Sequence, residues 1–367
     1  MIIRNGLVFE PEGAFTAREV YVDQTHRICE EPLPGDGEII DAAGLYVIPG
    51  LVDIHIHGAV GRDFSDGDAE GLQEIAAYLK AQGITSFCPT SMSLPEERLA
   101  DIFRTVEKLP KGERLARPVG IHMEGPFLAS EKKGAQKGDY LMEPDIEMFR
   151  RLQKVSGGRI CLVTIAPELS GAEGFIRALK DEATISLGHT AADYEQAAAG
   201  FEAGASHVTH LFNAMQPFLH RMPGLIGAAA EREKVYAELI CDGIHVHPSA
   251  VRGAFGLFGA DRMILISDAM RAAGMADGSY ELGGQPVNKN GAYAVLADGT
   301  LAGSVTNLAE GMRNAVRFGI PLTDALKAVT INPAKSIGLE GQIGQLTVGA
   351  EADIILMDRN LCFRKII

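Results

Sequence analysis

The sequence has no block of basic residues, no paired-cysteine motif, no long apolar run and no internal repeat, and each absence closes a class of function. Its 34 Lys and Arg are outnumbered by 48 Asp and Glu, for a formal net charge of −14. Nucleic acid and anionic membrane surfaces are therefore excluded as expected partners, because nothing offsets the repulsion. An anionic small molecule would need a positive site of its own. Five cysteines, Cys29, Cys88, Cys161, Cys241 and Cys362, stand singly and without C-x-x-C spacing. That pattern indicates neither a disulfide framework nor a zinc ribbon, and points to a reducing cytoplasm. No stretch approaches the roughly 20 apolar residues of a membrane span, and the Met1–Gly6 start lacks the apolar core of a signal peptide.

What is present is the ordinary composition of a globular protein, 46% hydrophobic and 22% charged over 367 residues. A (β/α)8 barrel takes about 250 residues and leaves about 100 for a small second domain. Between Val47 and Met270 a short β-branched run, a polar residue at its end and an amphipathic stretch recur eight times. The runs are Val52–Gly58, Thr85–Thr90, Pro118–Pro126, Arg159–Pro167, Thr184–Thr190, His207–Asn213, Tyr236–His245 and Met263–Met270. Helices are expected between them, for example from Asp68, as N-cap, to Gln82, and from Asp193 to Ala203 with Gly204 as the stop. Eight units in series fit a closed parallel TIM barrel better than a doubly wound sheet.

Both flanks read as β structure. Strands are expected at Met1–Asn5, Leu7–Phe9 and Arg18–Val22, and again within Gly344–Asp358, where Gln-Leu-Thr-Val-Gly precedes Ala-Asp-Ile-Ile-Leu-Met-Asp. The expected organisation is a small β-sandwich domain built from residues 1–47 and 341–367, with the barrel occupying 48–340. An insertion at Arg271–Gly303 carries two hairpin signals, Leu282-Gly283-Gly284 and Ala297-Asp298-Gly299, and is placed to overhang the barrel mouth.

In this fold chemistry belongs at the C-terminal ends of the strands. His55 and His57 lie two apart at the end of the first run and so share a face. Glu124 ends the third run, His189 the fifth and His210 the sixth. One carboxylate and two imidazoles delivered from three strands form the ligand set of a catalytic metal with an open position. Asp268 ends the eighth run after Ile264-Leu265-Ile266, where a carboxylate can serve as general base. His122 shares a face with Glu124 and reads equally well as a packed barrel residue or as a partner of the ligands. His26, His207 and His247 carry no argument beyond their type and default to structural or exposed positions.

Five segments, Pro49–Gly58, His122–Phe127, Gly188–Thr190, His210–Met215 and Leu301–Ser304, resemble the amidohydrolase superfamily, and closely its N-acetylglucosamine-6-phosphate deacetylase branch. The likeness spans nearly the whole chain, and Glu-Gly-Pro-Phe together with His-Leu-Phe-Asn-Ala-Met is specific to that branch. The resemblance implies Glu124, His189 and His210 as principal metal ligands and Asp268 as catalytic acid/base. It further implies Asn213, Ala214 and Arg221 at the phosphate end, with Arg221 reaching a neighbouring subunit's site in a homodimer. His245 would bind the sugar, and Ala135 and the Leu301-Ala302-Gly303 backbone would line the pocket.

Two features depart from some members of that branch. His55 and His57 are both present where certain members replace them, which leaves room for a second metal bridged through Glu124. Gln136 stands where several members carry a carbonyl-polarising histidine, and an amide NH2 can still donate to an oxyanion. The tail, ending at Ile367, is shorter than in the family, so the small domain is expected to lack an edge strand. The implied cofactor is one or two divalent ions per chain, Zn, Fe, Mn or Co. The implied substrate is a phosphorylated amino sugar, with N-acetylgalactosamine 6-phosphate as the nearest rival. A dihydroorotase-like reading is disfavoured because Arg159–Pro167 has no lysine, and an inactive scaffold because no ligand or base is missing.

Overall fold

The computed structural model describes residues 1–32, 37–110, 112 and 114–367, so that part of the 1–47 segment lies outside the described residues. Each of the eight runs overlaps one strand of a parallel barrel: Leu51–Ile56, Ile84–Ser91, Ile121–Glu124, Ile160–Ile165, Thr184–Leu187, His207–Val208, Tyr236–Ile240 and Met263–Ile266. Each pairs in parallel with the next. The ring closes between the eighth and first strands, where Asp268 N donates to His55 O at 2.9 Å and His57 N to Ala269 O at 2.9 Å. Apart from Ile84–Ser91, which outruns its sequence run by one residue at each end, the strands stop short of the runs because the backbone leaves the extended region at the mouth: φ is +48° at His189, +29° at His210 and +45° at Asp268.

Side chains from non-adjacent strands meet across the interior. Thr164 Oγ1 lies 2.8 Å from Thr209 Oγ1 of the strand after next, and His55 Nδ1 lies 2.9 Å from Glu238 Oε2 of the seventh strand. The interior is thus partly polar, with His122 bonded to Thr164 and His207 to Ser186. The alternate residues, such as Met123, Val163, Leu187 and Leu265, pack against the outer helices. These helices form where the caps predict. Asp68 caps Ala69–Ala81, and Asp193 with Gln196 makes a reciprocal capping box on Tyr194–Ala203, ended by Gly204 at φ +129°.

The terminal strands form two facing sheets. One runs in the order Ile28–Cys29, Val20–Val22, Ile2–Arg4, Ile39–Asp41; the other, Phe363–Ile366, Ile354–Met357, Tyr46–Pro49, Leu7–Phe9, Phe15–Ala17. Ile3, Val20 and Ile28 of the first sheet pack with Val8, Val47 and Ile354 of the second, which makes a β-sandwich. Two expectations need correcting. The short tail does supply an edge strand: Phe363–Ile366 pairs antiparallel with Ile354–Met357, and a register shift at Arg364 lets both Phe363 and Ile366 face the core. The Gln345–Gly349 segment is no strand, because Gly349 at φ +89° and a bond from Ala350 N to Thr347 O close a turn there.

Residues of the insertion fold into a three-stranded antiparallel sheet, Gly278–Leu282, Gln285–Asn290 and Tyr293–Val295. Gly283 and Gly284, at φ +56° and +82°, make its first turn, as the sequence signals. Ala297–Gly299 forms the second signalled turn, with Leu296 N bonded to Thr300 O at 2.9 Å. A further turn at Gly291, φ +58°, follows the dipeptide Asn290-Gly291, a hairpin signal that the sequence reading passed over. No helix among the described residues is long and apolar enough to cross a membrane.

Candidate active site

A cleft of about 230 Å³ opens at the C-terminal end of the barrel, floored by His57, Glu124, His189, His210 and Asp268. The insertion roofs it through Leu282, Thr300 and Leu301. Three of the floor residues, His189, His210 and Asp268, have left-handed backbone, a conformation that costs a non-glycine residue about 1–3 kcal/mol and concentrates at functional sites. The barrel holds them there with backbone bonds, such as Ser304 N to Asp268 O at 2.7 Å.

Glu124 is the centre of the cluster. Its Oε1 lies 3.1 Å from Nε2 of His189 and 3.1 Å from Nε2 of His210, and the two nitrogens are 3.0 Å apart. His189 Nδ1 sits 2.8 Å from Lys132 O, which holds a proton on that nitrogen and leaves Nε2 with a bare lone pair. Three donor atoms thus converge on one point. His55 and His57 form a second group with Asp268: His57 Nε2 lies 3.3 Å from Asp268 Oδ1 and 3.3 Å from Glu124 Oε2, and His55 Nε2 lies 3.6 Å from Asp268 Oδ1. The far nitrogens are again anchored, His55 Nδ1 on Glu238 and His57 Nδ1 on Thr90 O. His55 Nε2 is buried with no hydrogen-bond partner among the described residues. A buried imidazole nitrogen aimed at carboxylates but bonded to none is what a cation would satisfy. The donor set therefore fits a divalent cation, with Glu124 facing both groups.

The electrostatics agree. Burial opposes charge on His57, yet Asp268 and Glu124 more than offset it and raise its pKa to about 10. Burial likewise opposes charge on His55, but the carboxylates of Glu238, Glu124 and Asp268 raise it well above the usual imidazole range. Burial alone would raise Asp268, and the positive imidazoles of His55 and His57 bring it below its ordinary value instead. Carboxylates that draw protons onto neighbouring imidazoles draw a cation to the same place, and binding the cation releases those protons. Burial and the nearby His55 hold His122 neutral, and burial does the same for His207.

A profile of the amidohydrolase family matches residues 46–365, that is, the barrel and the C-terminal strands. The chain belongs to the amidohydrolase family. Its relatives include the N-acetylglucosamine-6-phosphate deacetylase of Bacillus subtilis (strain 168), 39% identical over 362 residues, covering 97% of this chain and 89% of the relative. The N-acetylgalactosamine-6-phosphate deacetylase of Escherichia coli O157:H7 is 34% identical over 339 residues, 92% of this chain and 89% of the relative. Among solved structures, a mutant N-acetyl-D-glucosamine-6-phosphate deacetylase from Mycobacterium smegmatis, in complex with N-acetyl-D-glucosamine-6-phosphate, superposes with TM-score 0.90 at 31% identity. It covers 100% of this chain and 97% of its own. The deacetylase from Pasteurella multocida superposes with TM-score 0.92 at 28% identity, covering 100% and 97%.

Within this amidohydrolase cleft stand most of the residues singled out from sequence: Ala135, Gln136, Asn213, Ala214, His245, Leu301 and Gly303. The side chain of Ala302, between the last two, turns away into the apolar cluster beneath the insertion with Met270 and Ala294. Gln136 is fully engaged on one side, with Oε1 accepting from Ser93 N at 2.7 Å and Nε2 donating to Glu124 Oε2 at 2.8 Å. One N–H of its amide is left for the cleft. Arg221 lies apart, exposed on a loop with Phe218, Leu219 and Met222, its Nη1 2.8 Å from His220 Nε2. Within one chain it does not reach the cleft. His26 and His247 are exposed, and His247 caps the helix Pro248–Phe258.

The sequence reading missed the residues that orient the others. Glu238 is one, and its signal was available: a lone charge inside the apolar run Tyr-Ala-Glu-Leu-Ile. Asp242 is another, three residues before His245, with Oδ2 2.7 Å from His245 Nδ1. The carbonyls of Thr90 and Lys132 had no signal, because any residue supplies one.

Proposed function

We propose that this chain is a metal-dependent deacetylase that hydrolyses the acetamide of N-acetyl-D-glucosamine 6-phosphate to D-glucosamine 6-phosphate and acetate. The observation that carries the reading is the convergence of Glu124, His189 and His210 on one point, with Asp268 facing the same cleft. Glu124, His189 and His210 would hold the first cation, and His55, His57 and Asp268, with Glu124 facing both groups, would hold a second. Zn, Fe, Mn and Co are all compatible with such donors. A cation in this place supplies Lewis-acid polarisation of the amide carbonyl and brings the pKa of water there to about 7.

The chain's own residues do the rest. Asp268, kept ionised, takes the proton from the water that adds to the carbonyl carbon. As the C–N bond breaks, the same carboxyl gives that proton to the departing nitrogen, leaving acetate and the amine. The free N–H of Gln136 donates to the developing oxyanion. His245, oriented by Asp242, binds the sugar, and Asn213, Ala214, Ala135 and the Leu301–Gly303 backbone line its pocket. In a homodimer, the exposed apolar side chains around Arg221 meet the partner, and the guanidinium reaches the partner's phosphate site with the forked donors that an acidic protein otherwise lacks there. The protein works in the cytoplasm, with residues 48–340 as the catalytic unit and 1–47 and 341–367 as the small domain.

Acetate release from N-acetylglucosamine 6-phosphate, its galactosamine epimer and unphosphorylated N-acetylglucosamine tests this reading, with metal per chain counted on the same sample. Fast release from the first alone is expected. Preference for the epimer transfers the assignment to the substrate of the E. coli relative, and no release from a metal-loaded sample rejects the substrate class.

A further inference from the structure

Among the described residues, Asp53 and Glu238 are wholly buried carboxylates of the barrel that neither line the cleft nor belong to the ligand groups around Glu124; Asp53 bonds backbone N–H groups, whereas Glu238 bonds an imidazole ring. No part of Glu238 is exposed. Its Oε2 accepts from His55 Nδ1 at 2.9 Å and from the backbone N of His210 at 3.2 Å. Its own backbone carbonyl accepts from Leu211 N at 2.8 Å. Oε1 has no hydrogen-bond partner among the described residues, and His207 Nδ1 stands 3.8 Å from it. A carboxylate placed in a strand interior at such desolvation cost must be held by what it organises.

What it organises is the second ligand group. An imidazole can offer Nε2 to a cation only when its proton sits on Nδ1, and the group that accepts that proton sets both tautomer and ring angle. For His189 and His57 the acceptor is a backbone carbonyl, of Lys132 and Thr90. For His55 it is a full negative charge, and the opposite nitrogen is the one that lies buried without a partner, 3.4 Å from Glu124 Oε1 and 3.6 Å from Asp268 Oδ1. We infer that Glu238 is the positioning residue that makes His55 a ligand, and so decides whether the chain holds two cations or one. The inference rests on the two-cation reading above. The bond to His210 N ties the same carboxylate to the backbone of a first-group ligand, at a residue whose φ is +29°.

The test is zinc retention by the full-length protein, loaded with Zn2+ and challenged with a graded chelator, for the wild type, Glu238→Gln, His55→Ala and the double variant. Glu238→Gln keeps the shape and an acceptor while removing the charge. The wild type is expected to hold two ions. Glu238→Gln should release one of them at about 10- to 100-fold lower chelator, the usual effect of removing such a partner, with the other unchanged. His55→Ala should hold one ion, and adding Glu238→Gln to it should change nothing further. Wild-type retention of both ions in Glu238→Gln overturns the role. Equal weakening by Glu238→Gln with and without His55 also overturns it, and assigns the carboxylate to the His210 backbone instead. A wild type that holds one ion overturns the two-cation reading itself. A measurement without any change at Glu238 stands beside these: in the zinc-loaded wild type, the His55 ring proton, assigned by its loss in His55→Ala, should reside on Nδ1 in a 1H–15N correlation. A proton on Nε2 refutes the inference.

Discussion

Replacing Asp268 by asparagine separates proton transfer from everything else that residue does. Asp268 lies outside the Glu124, His189, His210 group, so a first cation keeps its ligands. Its backbone is left-handed, φ +45°, a region that asparagine tolerates about as well as aspartate, whereas alanine would add roughly 1–2 kcal/mol of backbone strain and blur the result. The two backbone bonds, Asp268 N to His55 O at 2.9 Å and Ser304 N to Asp268 O at 2.7 Å, survive the change. What disappears is an ionised oxygen 3.3 Å from His57 Nε2 that can hold a proton between two steps of hydrolysis. A positioned acid/base contributes about 10²- to 10⁴-fold, so the barrier should rise by about 3–5 kcal/mol. In acetate-release kinetics kcat should fall by that factor with KM little changed and at least one metal ion per chain retained. A variant keeping more than a tenth of the wild-type kcat would falsify the assignment of Asp268 as the proton carrier. Loss of all bound metal would instead make it an indispensable ligand.

Removing metal with a chelator should abolish acetate release and lower the melting temperature, since an ion that binds only the folded state stabilises it; readdition of one divalent metal should restore both. Gln136→Ala leaves Ser93 N and one Glu124 oxygen without their partners at 2.7 and 2.8 Å, and should cost about 1–3 kcal/mol in urea denaturation as well as activity. At Gly50 a Cβ would collide with the Thr85 side chain; Gly50→Ala should destabilise the chain by about 1–3 kcal/mol, and Thr85→Ala in the same chain should recover part of it. Arg221→Ala should raise KM for the phosphorylated substrate by about 10- to 100-fold while leaving the slow turnover of the unphosphorylated sugar unchanged. Equal effects on both would detach Arg221 from the phosphate.

The eight strands were legible because each sets apolar residues against the outer helices and gives way to polar residues or glycine and proline near its end. The polar stops were also the site: His55, His57, Glu124, His189, His210 and Asp268 each stand at such a break. Errors fell where local pattern and local backbone part company. Gln-Leu-Thr-Val-Gly alternates like a strand, but Gly349 turns the chain back. Phe363 and Ile366 are three apart, out of strand period, and a register shift that no pattern announces brings both inward.

The sequence by itself determined the closed barrel, the sandwich of both termini, and which side chains stand at the strand ends, because periodicity, caps and apolar runs act over a few residues and can be read there. Only the tertiary structure decided how those side chains are held. Glu238 lies 183 positions from His55 in the chain, and the carbonyls that orient His57 and His189 belong to residues with no chemical signature. Which nitrogen keeps its proton depends on an acceptor brought close by barrel closure, and closure brings together residues that nothing in the local sequence relates.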